Sequence, residues 1–142
     1  MTDDIKKKID VVFIAGGKFH DIDFARLEIL KLLAEDDRMK VRVFEDYSNL
    51  HAIEKADFLI TYTCDVRPTL EQQRVLKNYV SSGNRWLALH GTNSILQFMS
   101  DGKVDSPRIA PVMMETLGSQ FIAHPPIEPY NVKVSQPDHP LV

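Results

Sequence analysis

The sequence predicts an α/β fold, a flavodoxin-like three-layer α/β/α sandwich on a mainly parallel sheet, and three observations carry that expectation. Short apolar runs rich in β-branched and aromatic residues recur along the chain. Stretches with helical spacing separate them, the pattern of parallel strands joined by crossover helices. At 142 residues, the chain is long enough for one domain with a real core.

In order, residues 9–15 (Ile-Asp-Val-Val-Phe-Ile-Ala) form the first strand, closed by Gly16-Gly17. The following loop leads into a helix over 22–35, capped by Asp21, with Phe24, Leu27, Leu30 and Leu33 as its core-facing stripe. Residues 41–44 are a short second strand, followed by Glu45-Asp46 and a loop. Residues 58–62 are a third, ending at Thr63-Cys64-Asp65. Thr69 and Gln72 have capping-box spacing, so a second helix begins there, with Val75, Leu76, Tyr79 and Val80 facing the core and Gly83 as its stop.

The fourth strand is Arg85-Trp86-Leu87-Ala88-Leu89, which runs straight into His90-Gly91-Thr92-Asn93. A buried strand ending in a sharp turn would hold His90 up at the carboxyl edge, where ligands bind in open α/β sheets. Beyond it, 93–99 reads as a short helix, 101–103 as a turn, 111–117 as a helix, and 121–123 and 130–134 as late strands. No repeat, low-complexity tract or interdomain linker interrupts the chain, so residues 1–142 read as a single domain.

Composition narrows the partners. The apolar share is 44%, the charged share 26% and the net charge -3, which leaves no electrostatic footprint for nucleic acid or an anionic membrane. A small molecule or a protein is the expected partner. Cys64 is the single cysteine, so no internal disulfide forms and a reducing, cytoplasmic setting is expected. The apolar run behind the N-terminal lysines is too short for a signal sequence, and no segment has membrane-spanning length.

For this architecture the strand order 2-1-3-4-5 is the default. Strands one, three and four then stand about 4.8 Å apart, and His20, Cys64 and His90, which follow their carboxyl ends, converge within roughly 10 Å.

The blocks Gly16-Gly17...His20-Asp21, Leu89-His90-Gly91, Gly118 to Pro126 (Gly-Ser-Gln-Phe-Ile-Ala-His-Pro-Pro) and Asp138-His139-Pro140 resemble, in order and spacing, the ThuA-like (trehalose utilisation) family. The block ending His124-Pro125-Pro126 is the most specific of them. The resemblance implies a class I glutamine-amidotransferase-like domain and a role in carbohydrate use, with a sugar or keto-sugar ligand. Family members are longer, so it also implies further sheet and helix after Leu141-Val142. Until those or another chain or a second copy cover it, the sheet has an exposed edge.

Within the wider fold, amidotransferases carry a nucleophilic cysteine at the elbow. This chain has His90 there, and its cysteine follows a different strand, so glutamine hydrolysis is not expected. The expected catalytic residues are His90, His20 and His124, and the neighbouring motif residues Gly17, Asp21, Thr92 and Gln120 are expected to bind substrate. Two chemistries stay open for the histidines. They could bind a divalent ion such as zinc with an open position for water, or line a metal-free pocket in which one serves as general base. A non-catalytic ligand-binding or assembly module is the alternative to an enzyme. Cys64 reads as a small buried hydrophobe, Trp86 as core, and Glu45-Asp46 as a solvated loop.

Overall fold

Residues 11–16 are buried without a break, because their strand has a neighbour on each side and a layer on each face. A computed structural model describes residues 7–140. It contains β1 (Ile9–Gly17), α1 (Ile22–Leu33), β2 (Met39–Phe44), α2 (Leu50–Lys55), β3 (Phe58–Cys64), α3 (Leu70–Ser81) and β4 (Arg85–Leu89). A 3-10 turn over His90–Asn93 follows, then a two-residue hairpin pair, β5 (Gln97–Phe98) and β6 (Val104–Asp105), and α4 (Pro111–Leu117).

The central sheet has the order β2-β1-β3-β4 and every pairing in it is parallel. Alternation along the strands sends side chains to two cores. Val12, Ile14, Leu59 and Trp86 pack under α2, α3 and α4, together with Ile53, Leu76, Tyr79 and Met113. Val11, Phe13, Ala15, Ile60 and Leu89 pack under α1, with Ile22, Ile29, Leu30 and Leu33. Helices therefore flank both faces of a parallel sheet, as the sequence predicted. Among the described residues no helix is long and apolar enough to cross a membrane.

Local chemistry explains the helix starts. Asp21 accepts from the Phe24 amide at 2.9 Å. Thr69 and Gln72 form a complete capping box, Oγ1 accepting from the Gln72 amide and the Gln72 side chain accepting from the Thr69 amide. Helix α2, expected as loop, starts in the same way, with Asn49 Oδ1 accepting from the Ala52 amide at 3.1 Å and Ala52 and Ile53 buried. The signal was present in Asn49 and its apolar follow-on, but six residues are too few for a visible period.

Three expectations are corrected. The core stripe of α1 is not Phe24, Leu27, Leu30 and Leu33, since Phe24 is 62% and Leu27 52% exposed. A strict spacing of three drifts about 60° per step around a helix of 3.6 residues per turn, so those four cannot share one narrow face. Residues 93–99 are not a helix; the 3-10 turn ends at Asn93 and the chain runs on to β5. The late strands 121–123 and 130–134 do not join the sheet. Phe121 is tied by its amide to Asn93 O at 3.1 Å, while Tyr130 and Val132 stay exposed. An alternating pattern makes a strand only where a ladder receives it.

Candidate functional site

Three strand ends build the site. At each, one residue other than glycine has positive φ: Phe19 after β1 (68°), Asp65 after β3 (57°) and His90 after β4 (48°). Such a conformation costs an L-residue on the order of 1–2 kcal/mol, and its clustering at one edge is characteristic of a functional site.

At β4, the turn is held from below by a chain of buried polar groups. Trp86 Nε1 donates to Thr61 Oγ1 at 2.9 Å, Thr61 Oγ1 lies 3.1 Å from Thr92 Oγ1, and the Thr92 hydroxyl donates to Leu89 O at 2.8 Å. Gly91 lets the turn press on β3, because a β-carbon there would stand 2.9 Å from Thr63 O and 3.1 Å from Cys64 Cβ. The result lifts the His90 ring over Tyr62, stacked at 5.5 Å and 10°. His20 arrives from the β1 loop and meets His90 edge to face, ring centres 4.4 Å apart. The convergence expected from strand order alone is therefore present.

His20, Cys64 and His90 line one cavity of about 480 Å³ together with Phe19, Asn93, Ser94, Leu96, Phe121, His124 and Ile127. His90 and His124 also border a second cavity beneath Pro125, Pro126 and Tyr130. Burial, and then the neighbouring His90, hold the His20 pKa below its ordinary 6.5. The His20 imidazole is thus mainly neutral at pH 7. In a histidine-resolved NMR titration, His20 is expected to lose its proton below pH 6.5, and His90→Ala is expected to raise that midpoint by removing one of the two causes. An unchanged midpoint in the variant would mean that the two rings do not interact.

The loops are locked by Asp65, whose side chain is 5% exposed. It accepts from the Leu96 amide at 3.1 Å, from Lys18 Nζ at 3.2 Å and from Arg67 Nε at 3.2 Å. Its own amide donates to Ser94 O at 2.9 Å. One carboxylate thereby ties the loops after β1, β3 and β4. Sequence reading saw Asp65 only as the end of a strand, since nothing in a linear chain shows which cations a carboxylate will meet. Tyr62, Phe19 and Phe121 were likewise absent from the expected site. Tyr62 reads as one more apolar strand residue until the tilt of His90 places a ring on it.

None of the four expected substrate-binding residues lines the cavity of the paired histidines, and each makes a local structural contact. Gly17 packs β1 against β3, where a β-carbon would stand 1.9 Å from Cys64 O. Asp21 caps α1. Thr92 is buried in the hydroxyl chain. Gln120 Nε2 donates to Ser106 O and Pro107 O, fastening one loop to another. Motif position alone does not tell a residue that touches ligand from one that shapes the loop beside it.

The three-histidine metal site, one of the two arrangements left open by the sequence, is not assembled among the described residues. Among the described residues no group of three or more His, Cys, Asp or Glu side chains is placed to hold a metal ion. His124 reaches the cavity wall, but its Nδ1 is taken up by Pro125 O at 2.8 Å, within the rigid turn the prolines impose. Cys64 is 2% exposed, and burial, followed by Asp65, raises its thiol pKa. That is the wrong direction for a nucleophile. Glu45 remains solvated, 84% exposed at its side chain. Comparison of the chain with protein-family models, curated proteins and solved structures returned no match.

Proposed function

We propose that the chain binds a neutral polyhydroxylated molecule, a sugar or keto-sugar, at the carboxyl edge of its sheet, with His20 and His90 as an acid/base pair. The observation that carries this reading is the 4.4 Å edge-to-face contact of the two rings on the cavity wall. Two features of the wall favour a neutral ligand. Its lining residues include no carboxylate and no cation, because Lys18 and Arg67 are turned onto Asp65. What it offers are imidazoles, Asn93 and Ser94 for hydroxyls, and Phe19, Phe121 and Ile127 for an apolar ring face.

The chemistry that suits such a pair is proton transfer next to a carbonyl. Neutral His20 takes the proton from carbon, the C–H electrons move to form an enediolate, and a ring N–H of His90 donates a proton to its oxygen. The resulting enediol collapses to the isomeric carbonyl as the protons return. Without a carbonyl in reach, the same groups bind hydroxyls and do no chemistry.

The test is an NMR titration of the histidine rings with trehalose and with fructose, a neutral disaccharide and a keto-sugar. Saturable shifts of the His20 and His90 signals are expected in the wild type. They are expected to disappear in His90→Gly, a variant that removes the imidazole and also relieves the left-handed backbone, so the fold is retained. Flat titrations with both sugars, or equal shifts in the variant, would sink the reading.

A further inference from the structure

The two edges of the sheet are built differently. At β2 the edge strand carries Lys40 and Arg42, charges of the kind that keep an edge from pairing with another chain. At β4 the residues after Arg85 are Trp86, Leu87, Ala88 and Leu89, with neither a charge nor a proline. The register with β3 runs unbroken from Phe58↔Arg85 to Tyr62↔Leu89, so no bulge spoils the edge either. Among the described residues β4 pairs with β3 alone, and Leu87 is 45% exposed beside that free edge.

The chain also carries a segment with a strand's pattern but no sheet to join. Residues 130–134 alternate Tyr-Asn-Val-Lys-Val, one apolar face and one polar face, in a segment of the same five-residue length as β4. All three apolar members face solvent, Tyr130 at 85%, Val132 at 80% and Val134 at 50%. The segment begins next to the carboxyl end of β4, since Tyr130 shares a cavity with His90. Pro125, Pro126 and Pro129 precede it. They hold that connection extended and stiff, and among the described residues the segment makes no pairing with its own β4.

We propose that two copies of the chain exchange this segment, residues 130–134 of each adding as a strand to the free β4 edge of the other. The exchange is reciprocal and closes on a two-fold axis, so it makes a dimer and not a fibre. Backbone hydrogen bonds supply the ladder, and the alternating face of Tyr130, Val132 and Val134 covers Leu87. The inference stands apart from the sugar reading, because neither His20 nor the ring contact enters it.

Sedimentation velocity over a concentration series, joined to hydrogen exchange, tests it. The wild type is expected to sediment as a dimer, with amides of 85–89 and 130–134 protected together and losing protection on dilution. Val132→Pro, at a position 80% exposed within one copy, is expected to give a monomer with unchanged circular dichroism, whereas Val132→Thr keeps the dimer. A wild type that is monomeric at every concentration overturns the proposal. So does a Val132→Pro dimer as tight as wild type. Protection of 130–134 in a monomer would also overturn it, by showing that the segment pairs with its own β4.

Discussion

Gly17→Ala is expected to cost about 4 kcal/mol or more of folding stability, at the upper end of what single substitutions do. Two causes add. The backbone has φ +109°, and a β-carbon built there stands 1.9 Å from Cys64 O and 2.8 Å from Cys64 C. Both atoms are main chain in the neighbouring strand, so no side chain can swing aside. Relief requires β1 and β3 to part at their carboxyl ends, where the Lys18 amide donates to Cys64 O at 3.0 Å. That opening would carry the loop bearing His20 away from His90, so the ring contact is lost with the stability.

Gly83→Ala separates the two causes. It also has positive φ, +89°, but a β-carbon meets nothing within 4 Å, so only the left-handed penalty of about 1–2 kcal/mol is expected. Urea unfolding of both variants makes the comparison. If Gly17→Ala falls no further than Gly83→Ala, the close approach of β1 and β3 at the site edge is wrong.

The second large effect lies at Asp65. Asp65→Ala is expected to lose about 2–3 kcal/mol, the scale for hydrogen bonds to a buried charged group. Most of that comes from the Leu96 amide and the loop order it fixes, since Lys18 and Arg67 are 66% and 46% exposed and such pairs contribute little by themselves. The acid limb gives an independent reading. Burial, the largest single influence, pushes the Asp65 carboxyl up, but the Leu96 amide, Lys18 and Arg67 together outweigh it and hold the pKa below its ordinary 3.8. A carboxylate whose folded pKa is depressed stabilises fully above its unfolded value, and that contribution is lost as pH falls through the folded one. The stability of wild type measured from pH 7 down to pH 3 should therefore fall more steeply at the acid end than that of Asp65→Asn. Parallel curves would mean that Asp65 is not the buried clamp described.

These effects arise where sequence reading was least informative, and the reason is physical. Asp21, Thr69 and Gln72 were legible because a cap acts over three residues, inside the reach of a local pattern. The strand order of the first four strands followed from the alternation of apolar runs and helices. His20 and His90 could be paired in advance because both follow the ends of strands the topology brings close. Asp65, Tyr62 and Gly17 owe their roles to atoms 28 or more positions away, such as Leu96, His90 and Cys64, and no short window contains both partners.

By itself, then, the sequence determined the α/β class, the parallel order β2-β1-β3-β4, and which edge of the sheet gathers the histidines. Those depend on periodicity and on connections that have essentially one handed solution. Only the tertiary structure decided that His20 and His90 touch while His124 turns to its own proline carbonyl, and that residues 130–134 lie outside the sheet their pattern suits. A ring contact depends on shifts of about an ångström in loop backbone, and a strand on whether a partner edge is within reach. Neither is written in the spacing of residues along one chain.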